Sequence, residues 1–87
     1  MHTAANAGNL KLVMRLVGGG SDVNLRDADG ATPILHAAIE GHLEVCRFLI
    51  KSGADVTVRD NDGEGLLGVA SEYPKIVALL KRAGAPK

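Results

Sequence analysis

The feature that most constrains this chain is an internal repeat of 33 residues. When residues 1–30 are laid over residues 34–63 without a gap, twelve of the thirty positions are identical. A third copy begins at Asp60, but its second half aligns at an offset of 31, which predicts a loss of two residues near Tyr73 and Pro74. A period of this length is typical of proteins whose units bury their apolar faces against neighbouring units.

Each copy has the pattern of a helix, a turn, a second helix and an extended finger. In the second copy, Thr32 is positioned to cap a first helix over residues 33–40, which starts with a proline. A broad apolar stripe predicts the second helix at about residues 43–51, and Gly53 follows where a left-handed C-terminal cap belongs. Residues 55–58 are rich in β-branched side chains and are expected to be extended.

Thr32-Pro33, Gly41-His42 and Gly53-Ala54-Asp55-Val56 together resemble an ankyrin repeat. The resemblance covers essentially the whole chain, as about two and a half units in a single domain of residues 1–87. The unit boundaries are expected near residues 1–26, 27–59 and 60–87. The resemblance implies an all-α solenoid of about six helices with finger loops. It also implies a non-catalytic scaffold that binds other proteins, because the family has no common catalytic activity.

The chain departs from the ankyrin pattern at several positions. Leu35 stands where the family has a histidine, and His36 follows one residue later. The first unit starts inside its first helix. The third unit has Gly65-Leu66 in place of Thr-Pro, and its turn between helices is shortened around Pro74. These departures predict weakly capped first helices at both ends of the stack.

A narrower resemblance concerns the second and third units. The segments 32–35, 40–42, 53–58 and 76–80 are similar to the C-terminal part of the small myotrophin-type ankyrin proteins. Those proteins bind and sequester the actin-capping protein. The resemblance therefore makes actin-capping protein a candidate partner of this chain.

Charge and cysteine content exclude several other classes of function. Ten basic and ten acidic residues give a net charge of zero, which argues against a general grip on nucleic acid or on an anionic membrane surface. The longest apolar runs are far shorter than the ~20 residues of a membrane span, and the N-terminus lacks a signal-peptide pattern. A single cysteine fits a reducing compartment, so we expect an intracellular location, cytoplasmic or nuclear.

One pair of residues has the spacing of a reactive site. His42 and Cys46 lie four residues apart on one helix, as a thiol and an imidazole in a thiol enzyme or redox sensor would. The structural interpretation is stronger, because His42 belongs to the Gly-His turn and Cys46 lies on an apolar helix face. A second alternative is that the chain is a spacer in a longer repeat array.

No metal or cofactor site is expected. The histidines and the cysteine lack the spacing of zinc ligands. Asp60, Asp62 and Glu64 match the first half of a calcium loop, but its twelfth position is Ser71. We expect these carboxylates to bond to nearby backbone N–H groups instead. Residues 18–20 are glycines that close a helix, whereas a phosphate-binding loop opens one.

The candidate binding surface consists of the finger tips and the solvent side of the first helices, as the resemblance implies. By alignment this surface contains Arg26, Ala28, Asp29, Ala31, Ile39, Glu40, Arg59, Asn61, Asp62, Glu64, Glu72 and Tyr73. Ile39 and Tyr73 are its candidate anchors, since aromatic and large apolar side chains are frequent hot spots. Acidic residues outnumber arginines here, which predicts a basic patch on the partner.

The N-terminal unit has no preceding unit in this sequence to cover it. Leu12, Val13, Leu16 and Val17 are the candidates for an uncovered apolar face. We therefore expect either marginal stability or self-association through the N-terminal unit.

Overall fold

The computed structural model describes residues 1–86 and consists of six helices connected by turns and fingers. The helices are α1 (His2–Asn6), α2 (Leu10–Gly18), α3 (Pro33–Ile39), α4 (Leu43–Lys51), α5 (Leu66–Val69) and α6 (Pro74–Arg82). The predicted all-α fold of about six helices is confirmed. No helix in residues 1–86 is long and apolar enough to cross a membrane.

The helices form two layers. The first helices of the three units, α1, α3 and α5, lie side by side, and the second helices, α2, α4 and α6, form the other layer. The core between the layers is aliphatic, and its largest fully buried side chains include Ile34, Leu35, Leu49, Leu66 and Leu80. The middle pair, α3 and α4, contacts helices on both sides and therefore carries the best-covered part of the core.

The second unit follows its predicted outline closely. The helix α4 has the predicted bounds, and α3 ends at Ile39, one residue earlier than predicted. Gly53 has the left-handed backbone expected of a C-terminal cap, with φ of 95°. The predicted cap at Thr32 is only half right, because Thr32 is the N-cap residue but its side chain makes no capping hydrogen bond.

Thr32 is instead a buried hydroxyl without a partner. The residue is 0% exposed, and its Oγ1 has no hydrogen-bond partner within residues 1–86. Burying an unpaired hydroxyl costs about 1–3 kcal/mol. We therefore expect Thr32→Val to leave stability unchanged or to raise it by about 1 kcal/mol.

Urea unfolding followed by circular dichroism tests this prediction for Thr32. If the hydroxyl capped the helix, the same substitution would lower stability by about 1 kcal/mol. Asn9→Ala is the matched control, because the Asn9 side chain does accept a hydrogen bond from the backbone N–H of Leu12 at the start of α2. That variant is expected to be destabilised.

The extended finger predicted at residues 55–58 is wrong in part. Asp55 Oδ1 accepts hydrogen bonds from the backbone N–H of Thr57 at 2.8 Å and from Thr57 Oγ1 at 2.7 Å, so this aspartate folds the chain into a turn. Within residues 1–86 the β-type pairing is limited to one antiparallel bridge between Arg59 and Gly65. The local polar contact of Asp55 therefore outweighs the β propensity of its neighbours.

The third unit is shortened in its first helix. The helix α5 has four residues, where α3 has seven. The backbone N–H of Tyr73 donates to the carbonyl of Ala70, whereas the matching bond in the second unit joins His42 to Ala37. The two missing residues therefore lie between Ala70 and Tyr73.

The apolar residues predicted for the N-terminal face differ in their exposure to solvent. Val13 is 0% exposed, so its place on that face is wrong. Leu16 and Val17 are half-buried against the core, and Leu12 is 37% exposed. Leu25 is the residue that the sequence analysis missed, and it is 57% exposed.

Candidate partner-binding surface

Each finger tip is a tight turn built on one aspartate. Asp27 Oδ1 accepts hydrogen bonds from the backbone N–H groups of Asp29 and Ala31. Asp60 Oδ1 accepts the matching bonds from Asp62 and Glu64, both at 2.9 Å. The predicted bonding to backbone N–H groups is thus confirmed for the carboxylate of Asp60, whereas Asp62 and Glu64 contribute their backbone N–H groups to it. The turns leave the side chains of Asp29 and Asp62 exposed at the tips.

Polar contacts tie the two fingers together. Arg26 Nη1 donates to the carbonyl of Gly30 at 2.9 Å and to the carbonyl of Arg59 in the next finger at 2.7 Å. Asn61 donates its backbone N–H to the carbonyl of Asp29 and its side-chain Nδ2 to the carbonyl of Ala28. Arg26 and Asn61, predicted as binding residues, therefore also connect the fingers and hold the tips in register.

A polar network that the sequence analysis missed attaches the first finger to the first-helix layer. His36 Nε2 lies 2.7 Å from Asp27 Oδ2, and Asn6 Nδ2 lies 3.3 Å from His36 Nδ1. The contacts fit an imidazole that donates from Nε2 to the carboxylate and accepts at Nδ1 from the amide. The signal in the sequence was His36 itself, one residue after the position where the family has its histidine.

This network lowers the pKa of Asp27. The hydrogen bond from His36 and the backbone N–H of Ala31 favour the charged carboxylate and bring its pKa from 3.8 to about 2. Because the folded-state pKa is depressed, the carboxylate stabilises the fold at pH values above 3.8. That stabilisation is lost as the pH falls toward 2.

The predicted surface residues differ in exposure. Ile39 is 41% exposed at the end of α3, while Ile34 at its start is fully buried. Ala31 is 7% exposed, so its predicted place on the surface is wrong, because the turn at Asp27 folds it inward. The remaining exposed members are Arg26, Ala28, Asp29, Glu40, Arg59, Asn61, Asp62, Glu64 and Glu72.

Tyr73 lies at a different place from the one predicted by alignment. It is the residue before α6 and is half-buried, with its ring against the turn at Gly41. A Cβ on Gly41 would lie 2.6 Å from Tyr73 Cε1. His42 occupies the matching position one unit earlier, where its ring packs against Gly8 and its Nε2 lies 2.8 Å from the carbonyl oxygen of Asn6.

Cys46 is a buried thiol in the core. It is 0% exposed, and burial raises its pKa to about 12. The thiol is therefore protonated at neutral pH, whereas a thiol nucleophile must be a thiolate. The imidazole of His42 is engaged with Asn6 and Gly8 of the preceding unit, as a structural role for the pair requires.

The exposed residues of the predicted surface, at the fingers and in the turns after α3 and α5, are mainly acidic. Asp29, Glu40, Asp62, Glu64 and Glu72 are all exposed, and Glu40 follows the exposed Ile39 directly. The nearby arginines at 26 and 59 each donate to backbone carbonyls. The surface thus combines negative charge with one exposed apolar side chain.

Comparison with known proteins agrees with this architecture. A family model described as ankyrin repeats, in three copies, matches residues 1–87. No curated protein matches the chain.

Proposed function

Because this chain belongs to the ankyrin-repeat family, we propose that it is a non-catalytic scaffold that binds a protein partner through its finger tips and first-helix layer. Ankyrin repeats are generally protein–protein interaction modules. The buried, protonated Cys46 supports a role without thiol chemistry. The single cysteine supports a reducing location, in the cytoplasm or nucleus.

The exposed Ile39, which Glu40 follows directly, carries this proposal. The side chain of Ile39 is 41% exposed, and a partner would remove this apolar surface from water. Glu40 and Asp62 would attract a basic segment to the same surface. The partner is therefore a protein segment with an apolar residue flanked by lysine or arginine.

Replacing Ile39 by alanine is expected to weaken partner binding at least fivefold, which corresponds to the ~1 kcal/mol threshold of an interface anchor. Met14→Ala is the matched control, because Met14 is similarly exposed, at 48%, but lies on α2 in the other layer. Partners are captured from cell lysate with each protein, and their affinities are then measured directly by isothermal titration calorimetry. The assignment of this surface would be contradicted if both variants lost binding equally, or if neither variant lost binding.

Actin-capping protein is the first purified partner to test. The resemblance of the second and third units to myotrophin-type proteins supports it. Association in the micromolar range that is weakened by Ile39→Ala would support this partner. A lack of association at tens of micromolar would remove it and leave the general scaffold function in place.

We also propose that the N-terminal end face pairs with a second copy of the chain. A comparison of equivalent residues in the first and second units supports this proposal. Leu12 and Leu25 are 37% and 57% exposed, while the equivalent residues of the second unit, Val45 and Val58, are 2% and 5% exposed. The second unit has a unit before it in the stack, so the exposed residues are those that another unit would cover.

Sedimentation equilibrium across a range of protein concentrations tests this pairing. We expect a monomer–dimer equilibrium and a urea midpoint that rises with protein concentration. Leu25→Lys should make the chain monomeric, whereas Met14→Lys, which adds the same charge on the outer side of α2, should leave the dimer intact. A wild-type chain that is monomeric at the highest concentration would rule the pairing out.

A further inference from the structure

The net charge of zero conceals a strong separation of charge. Seven of the ten basic residues lie within the second helices α2, α4 and α6, whereas nine of the ten acidic residues lie outside all helices. The seven basic side chains are all exposed: Lys11, Arg15, Arg47, Lys51, Lys75, Lys81 and Arg82. The second-helix layer therefore presents a basic face that is distinct from the acidic finger surface.

A trough with an apolar floor runs along this basic face. A hollow of about 240 Å³ lies between α4 and α6, lined by Leu43, Arg47, Lys75, Ala78, Leu79 and Arg82. A second hollow of about 390 Å³ at the turn end of these helices shares Leu43 and Lys75 with it, and its walls include Tyr73 and Pro74. The two hollows therefore form one trough, with Lys75 at the junction.

Two of the three basic side chains that line the trough form no ion pair in the described part of the chain. Arg47 Nη1 donates to both carboxylate oxygens of Glu44, at 2.6 and 2.8 Å. Lys75 and Arg82, in contrast, form no ion pair within residues 1–86. The trough thus presents Lys75 and Arg82 without an ion pair among the described residues, one paired arginine, and the exposed carboxylate of Glu72 at its turn end, beside leucine side chains.

The placement of Lys75 opposes the electrostatics of its own helix. It lies in the first turn of α6, where the helix dipole favours acidic residues and disfavours cations. The equivalent residue of α4 is Glu44, which the dipole favours. Since the dipole disfavours Lys75 and no carboxylate in residues 1–86 pairs with it, its charge is available for binding.

We propose that the trough between α4 and α6 binds an acidic amphipathic helix from a partner protein. Leucine side chains of such a helix would cover Leu43, Ala78 and Leu79, and its carboxylates would pair with Lys75 and Arg82. The apolar floor favours a peptide helix over a nucleic acid or an anionic lipid surface, because a polyanion needs charge but gains little from leucines. Apart from Glu72 and Tyr73, which the predicted partner-binding surface shares with it, this site is separate from the finger tips and Ile39, so one chain binds two partners of opposite charge.

A labelled peptide tests the proposal by fluorescence anisotropy with the full 87-residue chain. The probe is a 16-residue helical peptide. Leucines at positions i, i+3, i+4 and i+7 form one face of its helix, and glutamates occupy the other positions. We expect binding in the micromolar range that weakens as salt is raised. Lys75→Glu should weaken it at least tenfold without lowering the thermal midpoint, because the substitution places a favoured charge at the start of α6.

Lys11→Glu is the matched control. Lys11 occupies the equivalent first-turn position of α2, so the variant has the same net charge as Lys75→Glu but leaves the trough unchanged. We expect it to weaken the probe less than threefold. Ile39→Ala should leave probe binding intact, which separates this site from the finger surface.

Several results would overturn the assignment. One is that Lys75→Glu and Lys11→Glu weaken probe binding equally. Another is that the probe does not bind at 100 µM. A third is that a probe with serine in place of leucine binds with the same affinity. Tighter binding of single-stranded oligothymidine or of phosphatidylserine vesicles, lost on Lys75→Glu, would show that the face binds polyanions rather than a peptide helix.

Discussion

Replacing Leu49 by alanine is expected to lower the free energy of unfolding by about 3–4 kcal/mol. Leu49 is 0% exposed in α4, the second helix of the middle unit, which packs against α2 on one side and α6 on the other. The substitution would leave a cavity in the core. Because α4 is packed between helices of both neighbouring units, the surrounding backbone cannot easily move to fill that cavity. A chain of this size has a total stability of about 4–13 kcal/mol. The substitution therefore removes a large fraction of it, and urea unfolding of the variant measures the loss.

Leu16→Ala is the matched control for this experiment. Leu16 is the same residue at the equivalent position of the first unit, but it is only half-buried against the core. We expect a loss of about 1–2 kcal/mol, because part of the side chain is already in water. Equal losses at the two positions would mean that the first unit is covered as well as the second, which contradicts an open N-terminal face.

Replacing Gly30 by alanine is expected to lower the free energy of unfolding by about 2–3 kcal/mol. Gly30 has φ of 76°, a left-handed conformation that costs a residue with a Cβ about 1–2 kcal/mol. A Cβ there would also collide with the side chain of Asn61 and approach its backbone nitrogen at 3.1 Å. Asn61 is bonded to Ala28 and Asp29, so it cannot move aside without breaking the contacts between the fingers.

The next finger contains a matched control for Gly30. Gly63 is the equivalent glycine, has φ of 80°, and has open space where its Cβ would lie. Gly63→Ala should therefore show only the conformational cost, at least about 1 kcal/mol less than Gly30→Ala. In an Asn61→Ala background the difference should shrink, because much of the collision has been removed. Thermal unfolding is measured for Gly30→Ala and Gly63→Ala, each with and without Asn61→Ala. If Asn61→Ala leaves the difference between the two glycine variants unchanged, the contact through Asn61 is contradicted.

The middle unit was predictable because its two neighbours in sequence define its period. The bounds of α4 and the cap at Gly53 follow from apolar spacing and turn chemistry, which are local properties. The exact place of the two-residue deletion in the third unit, and with it the position of Tyr73, was not predictable in this way. A two-residue deletion can be placed at several points with equal identity, and only the bond from Tyr73 to Ala70 places it before Tyr73.

Burial within a helix was harder to predict than the helix itself. Successive residues of a helix point about 100° apart, so Leu12, Val13, Leu16 and Val17 form one apolar face about 140° wide. Sequence alone does not set the rotation of α2 against α4, which decides that Val13 is buried and Leu12 is not. The pairing of His36 with Asp27 is similarly a property of the folded stack, since it depends on where the first finger lies over α3.

The glycine-rich end of α2 has a consequence for cleavage of the native protein. Residues 18–22 are all exposed, whereas residues 30–35 at the start of α3 are all buried. A protease of broad specificity needs an exposed, deformable segment, so its first cut falls within residues 18–22. After that cut the first helix pair is held to the rest by packing of α1 on α3 and of α2 on α4, and by the hydrogen bonds of Asn6 with His36 and His42. The nicked protein would keep its shape in buffer and separate into two fragments in denaturant.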